Sequence, residues 1–499
     1  MRKKINIVWF KRDLRLRDHA PLQAAIKTGL PTILCYFFEP SLMTLPQSEY
    51  RHWRFAYESV TDLQKKLDAH QIPLYVFYDE VLPVFDQLSQ LYEIKHLFSH
   101  QETGLKKTFD RDLKVKAFCK DKGIEWKEYR QDGVFRGLRR RTHWQERWEK
   151  DMNESVIQID LAAIQSTDLP TFFTEKNQDL PPQITQYKEG FQQGGETFAW
   201  RYYHSFLTSR IDDYSRFLSK PELSRKSCSR ISPYIAYGNI SIKEIFQLAE
   251  KAKNRKSREH PIENFLSRAW WRSHYIQKLE SEWELEFEPL NRGMKALDRE
   301  VNPSLFEPWA EGRTGFPMID ASIRCLQQIG WLNFRMRATL GTFVTFALWQ
   351  DWKAAAEVLA RLFLDFEPGI HYAQFQMQAG LTGYHTLRIF NPIYQSQVHD
   401  VEGKFVKQFV PELRNVPVSL IHKPWEMTTM EQMMYKCRIG IDYPEPIVDY
   451  ERVIKENKDR YWVVRQSREV RSFLPQIWDR HCLPQNVKEY EGMRENRGS

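Results

Sequence analysis

The stretch that decides the fold runs from residue 309 to residue 392. It opens as WAEGRTGFPMIDASIRCLQQIGWLNFRMRATLGTFVTFALWQDW (309–352) and closes as LDFEPGIHYAQFQMQAGLTGYHTLRIFNP (364–392). Met318, Ile319, Ile323, Leu326 and Ile329 recur at helical spacing, and Gly330 stands where a left-handed residue ends a helix. The next helix carries Arg335 and Arg337 beside Leu332, Met336, Leu340 and Phe343. Two guanidinium groups in an apolar, aromatic bundle need partners. Asp365 and Glu367 follow on a loop broken by Pro368 and Gly369. By itself such a set usually reads as structural salt bridges.

Outward from this stretch, helical periodicity dominates from Phe198 to the end, and strand signals vanish. The N-terminal part reads differently. Ile5–Phe10 reads as a buried strand and Thr32–Phe38 as a second, followed by further strands at 74–78, 96–99 and 124–129. Between them, 51–70, 83–92 and 106–122 read as helices. Strands alternating with helices predict a doubly wound parallel sheet. The expected organisation is an α/β domain over 1–130, an inter-domain connection over 131–197, and an all-α domain over 198–499. In the connection, Arg136, Arg139, Arg140 and Arg141 lead into Trp144, Arg147 and Trp148. That cluster is either a solvated helix face or a platform for phosphates and bases.

A chain of 499 residues exceeds what one hydrophobic core serves, consistent with two domains. The 73 basic residues against 65 acidic ones leave a formal charge of +8, which favours a polyanionic partner. No apolar run approaches the ~18 residues of a membrane span, and the start MRKKINIVWF is too short an apolar run for a signal peptide. Six scattered cysteines with no C-x-x-C pair predict a reducing, cytoplasmic setting and no zinc. There is no G-x-G-x-x-G, hence no dinucleotide fingerprint.

The ordered series W-x-E-G-x-T-G-F-P-x-I-D-A, G-W, R-x-R, D-x-E and R-I-F-N-P resembles the flavin-binding core of the photolyase/cryptochrome family. The opening NIVWFKRDLRLRDHAPL is similar to that family's antenna domain. The resemblance implies FAD held in the helical domain, with Arg337 and Asp365 clamping the flavin ring and Glu367 as a second loop carboxylate. It implies that Tyr214 and Cys228, Ser229, Arg230, Ile231 and Ser232 wrap the cofactor phosphates. A helix opening at Ser232-Pro233 suits a pyrophosphate. It further implies a folate or deazaflavin antenna, near Gln101-Glu102, and UV-damaged DNA as partner to a monomeric protein.

Within the resemblance this sequence departs at several places. Trp271-Arg272 matches the helix that reaches both flavin and lesion, yet Arg268 replaces its usual Glu or Gln. Phe334, next to Arg335, replaces an Asn or His, and Met377 replaces a stacking Trp. In the tryptophan chain that reduces the flavin, Trp352 fits the middle member and Trp349 is expected on the same helix. Phe375 holds the proximal place. His371 faces flavin N5 by the resemblance, as a titratable proton donor. The expected activity is light-driven repair of pyrimidine photoproducts; the alternative is a photoreceptor without repair. Trp271, Trp352 and His371 are the expected catalytic set.

Overall fold

The computed structural model describes residues 2–175, 180–253 and 256–483. At its N-terminal end, β1 (Lys4–Phe10), β2 (Thr32–Phe37), β3 (Leu74–Phe77), β4 (Glu93–His100) and β5 (Glu125–Tyr129) form one parallel sheet in the order β3-β2-β1-β4-β5. β1 sits in the middle with Ile5 to Phe10 all buried. A strand covered on both faces has no solvent side to alternate with, so it reads as a nearly continuous apolar run, interrupted by the buried Asn6. The chain builds outward from β1 through β2 to β3, then returns to lay β4 on the other side. The carboxyl ends of β1 and β4 therefore flank the topological switch point, where open α/β sheets hold ligands. The helix Ala20–Lys27, absent from the sequence reading, covers the sheet beside the predicted helices.

Residues after β5 join both halves. Thr32 donates its N–H to Gln165 O at 2.7 Å. Leu169 and Phe173 pack in one face of the sheet's core, and Ile184 in the other. Trp144 and Trp148 belong instead to a helical core cluster with Phe206, Tyr214 and Phe265. This corrects the base-stacking reading of 136–148. Both indoles are spent on the core, Arg141 is buried, and Arg136 is paired with Glu128 and Glu280. The solvated-face reading fares no better for Arg141.

Among the described residues the remaining regular elements are helices joined by turns and loops, apart from isolated bridges between Thr32 and Ser166 and between Ile439 and Tyr443. The helix Pro317–Ile329 ends at Gly330, whose φ of 69° is left-handed. The helix Phe334–Thr342 winds on as a π turn through Ala347. Trp349 does not share a helix with Trp352: it lies in a left-handed turn (φ 54°), and Asp351 caps a new helix, Trp352–Leu362, by accepting from Ala354 N. The domains interlock closely. Gly238 has φ 67°, and a Cβ there would lie 2.2 Å from Arg12 O, so only glycine admits this approach.

Candidate functional site

A cavity of about 730 Å³ opens in the helical domain, within the ~300–1,000 Å³ range of ligand pockets. Two helices present regular faces to it. Along Lys256–Ser281, residues Phe265, Arg268, Ala269 and Arg272 line it, and along Pro368–Gln378, residues His371, Gln374, Phe375 and Gln378. These are the i, i+3, i+4, i+7 positions of single helix faces. The same spacing explains what is missing. Trp271 and Met377 fall on other faces and do not line the cavity, which corrects their sequence placement on its wall. Trp271 lies against Tyr275 (ring centroids 5.7 Å apart) and edge-on to Trp270 (4.9 Å). Trp352 also lies off the wall, in the hydrophobic core.

One wall is built on charge. Arg337 Nη2 donates to Asp365 Oδ2 at 2.8 Å, its Nε donates to Leu332 O at 2.7 Å, and its guanidinium lies 4.2 Å from the Phe363 ring centroid. Asp365 Oδ1, Asn333 Oδ1, Arg335 Nε and Gln374 Oε1 all belong to lining residues and are buried without a partner. A buried polar group left unpaired costs about 1–3 kcal/mol. Four on one cavity, donors and acceptors mixed, fit a ligand with N–H and carbonyl edges, as a flavin has.

Glu367 is arranged differently from its sequence reading. It lines the cavity, but its carboxylate pairs with Arg12 of the N-terminal domain (Nη2–Oε2 2.6 Å) and with Arg272 (3.2 Å). Burial, partly offset by the two arginines, raises its pKa. His371 is likewise corrected. Its Nε2–H donates to Ala356 O at 2.8 Å, and burial pushes its pKa down to about 4. At neutral pH it is an uncharged imidazole tied to a backbone carbonyl, with no second proton to give.

The opposite wall is the segment Cys228–Ser232 with Tyr214. The helix Pro221–Ser227 stops at Cys228, whose carbonyl is held by Arg210. Arg230 adopts φ 59°, which turns its guanidinium onto Gln192 Oε1 (2.8 Å) and over the Trp331 ring (4.3 Å). Its charge is thereby engaged by protein groups. Ser232 opens the helix Ser232–Ala236, and its Oγ accepts from Trp331 Nε1 at 3.3 Å. Cys228 is a protonated thiol, its pKa raised to about 12 by burial. The Tyr214 phenol is likewise raised by burial, and its ring meets Phe206 edge-on at 5.5 Å.

At the mouth, Arg268, Phe334 and Arg388 are exposed and Arg335 is half-buried. Sequence reasoning had placed Arg268, Phe334 and Arg335 there. It missed Trp331, Asn333, Gln374, Gln378 and Arg388, although 374 and 378 were accessible from helical spacing once 371 and 375 were chosen.

Two family models match the chain: DNA photolyase over residues 6–137, and the FAD binding domain of DNA photolyase over residues 265–463. A deoxyribodipyrimidine photo-lyase of Alkalihalophilus pseudofirmus is 26% identical over 479 residues, covering 91% of this chain and 96% of that protein. The crystal structure of a Synechocystis cryptochrome superposes with a TM-score of 0.82 at 23% identity, over 92% of this chain and 99% of that one. An archaeal photolyase from Sulfolobus tokodaii, solved with two FAD molecules, superposes with a TM-score of 0.76 at 24% identity, over 92% and 100%. The superpositions carry the fold, and the two matched segments hold β1 at one end and the arginine–aspartate clamp at the other. The chain belongs to the photolyase/cryptochrome family.

Proposed function

We propose that this protein is a light-driven DNA photolyase acting on pyrimidine photoproducts. The observation that carries the reading is one cavity with unpaired polar atoms within and a cationic, aromatic mouth. FAD, when bound, supplies a light-excited electron donor. Asp365 and Arg337 fix the position and charge of one wall, and the Cys228–Ser232 segment offers backbone and hydroxyl groups for phosphates. Arg268, Arg335 and Arg388 attract the DNA backbone. Phe334 offers an apolar face to an unstacked base, which a flipped lesion requires. His371, neutral and anchored, keeps a charge away from the cavity floor. Six free, buried cysteines support a reducing compartment.

The test is to illuminate the reduced protein with DNA containing cyclobutane dimers, and separately (6–4) products, and to count restored bases. Restoration of either, reduced at least about tenfold in Arg268→Ala, is expected. If neither is restored, and binding ignores damage, the reading fails. The photoreceptor reading then stands, favoured by Phe375 on the cavity wall and by Arg268 and Phe334 at the mouth in place of polar lesion contacts.

A second cavity, of about 150 Å³, lies at the switch point of the sheet and is lined by Trp9, Tyr36, Glu39, Trp53, Arg111 and Phe366 among others. Glu39 pairs with Arg111 at 2.5 Å, yet its Oε2 is buried without a partner. An orphaned carboxylate oxygen beside aromatic rings supports a flat heterocycle with an N–H edge, as an antenna chromophore has. Gln101 is not among the residues lining it, whereas Glu102 is.

A further inference from the structure

The two cavities share a wall four residues thick in sequence. Asp365 and Glu367 line the large cavity, whereas Phe366 and Pro368 line the small one. Asp365 lies in a turn and Pro368 opens a helix, and Glu367 between them is extended (φ −126°, ψ 109°), which keeps its side chain on the side away from Phe366 and Pro368. The partition is pinned from both domains. Glu367 takes the bidentate pair from Arg12, which itself lines the small cavity (2.6 and 3.2 Å). His52 Nε2–H donates to Phe363 O at 2.9 Å. The Phe366 ring lies between two imidazoles, stacked on His52 at 6.1 Å and edge-on to His371 at 5.3 Å. His52 lines the small cavity and His371 the large one.

We propose that the cavities are thermodynamically coupled through Asp365–Pro368, so that a planar heterocycle in the small cavity tightens FAD in the large one, and FAD tightens that heterocycle. The proposal rests on the flavoprotein reading above. A ring packed against Phe366 narrows the positions that Phe366 and Arg12 can take. Because Phe366 touches His371 and Arg12 holds Glu367, the same restriction fixes the carboxylates and imidazole facing FAD. A ligand that orders a shared wall removes part of the ordering cost for the next ligand. Linkage makes the effect reciprocal and of equal factor in both directions.

The test uses the full-length flavoprotein, with 8-hydroxy-5-deazariboflavin and 5,10-methenyltetrahydrofolate as probes. The FAD dissociation constant is read from free-flavin fluorescence on dilution, with and without saturating probe. At least one probe is expected to lower it by about fivefold or more, and FAD is expected to tighten that probe by the same factor. Phe366→Leu, which keeps an apolar filler but removes the ring, is expected to abolish the linkage, and Phe366→Tyr to retain it. A merely structural role for Phe366 would change FAD affinity without changing its dependence on the probe. An FAD constant indifferent to both probes, or a protein that takes FAD and neither probe, overturns the proposal. A protein that takes no FAD overturns the flavoprotein reading itself.

Discussion

Asp365 gives one oxygen to Arg337 and leaves the other unpaired in the cavity. Asp365→Ala removes both functions and strands a guanidinium that is about a quarter exposed. The expected cost is near the low end of the 3–5 kcal/mol for a broken buried pair, about 3 kcal/mol. Urea denaturation measures that loss, and the ratio of flavin to protein absorbance should fall towards zero. Wild-type flavin content in Asp365→Ala would remove the clamp. The buried histidines set a pH limit. His52 and His371 are held at about 4 by burial, against 6.5 in the unfolded chain. Above pH 6.5 both states leave them neutral. As pH falls from 6.5 to 4 the unfolded state takes up protons that the folded state refuses, so stability drops. Each contributes up to about 1.4 kcal/mol per pH unit. His52→Asn, which can still donate to Phe363 O, is expected to flatten that slope in urea melts between pH 7.5 and 5. That Arg337 needs a partner was legible because an apolar helix rarely leaves an arginine alone, and the resemblance, not the spacing, named Asp365. The protonation of His371 was not, since it depends on burial by tertiary packing, which the hydrogen bond to Ala356 O only partly offsets.

At the scale of elements, helix ends aim the site. Gly330 closes the helix Pro317–Ile329, and its carbonyl accepts Leu364 N at 2.9 Å, one residue before Asp365. A Cβ at this left-handed position would lie 2.9 Å from Leu364 Cβ. Gly330→Ala is expected to cost about 1–3 kcal/mol and to lower flavin retention, both read as above; unchanged retention would show that the helix end does not position the loop. On the helix Pro368–Gln378, Phe375 occupies the cavity wall, and phenylalanine is far harder to oxidise than tryptophan. Phe375→Trp is expected to speed light-driven flavin bleaching with external thiol, and Trp352→Phe in that background to cancel the gain. If Trp352→Phe changes nothing, Trp352 is no part of the route. The inner strands β1 and β2 were legible because buried parallel strands are nearly continuous apolar runs, whereas β5 (EWKEY) is half-exposed and polar. Helix faces were less so: Trp271 and Met377 were placed by the resemblance, whereas the 3.6-residue turn puts Gln374 and Gln378 on the cavity beside the expected Arg268 and Arg272. The break at Asp351 was signalled by its capping carboxylate and was passed over.

Over the whole molecule, a charge of +8 says little about where DNA would sit, since it is a small difference between 73 basic and 65 acidic residues. On the photolyase reading proposed above, the arginines at the cavity mouth would localise it. Binding of damaged duplex should weaken with salt at a log–log slope of about −0.9 per phosphate contacted, and Arg268→Ala should reduce the slope by about one contact. An unchanged slope would place the backbone elsewhere. The change from a parallel sheet to an all-helical part was readable from the change of periodicity along the chain. The domain contacts were not, because Arg12 and Glu367 are 355 residues apart and nothing local links them. The alternating wall also bears on how this chain tolerates change in length. Surface loops usually accept insertions and deletions, but Asp365–Pro368 is read in pairs. Removing or adding one residue would exchange its two sides, turning a carboxylate towards the aromatic pocket and a phenyl ring towards Arg337. This loop should therefore be as intolerant of indels as a strand in the middle of a sheet, where a one-residue slip inverts every side chain.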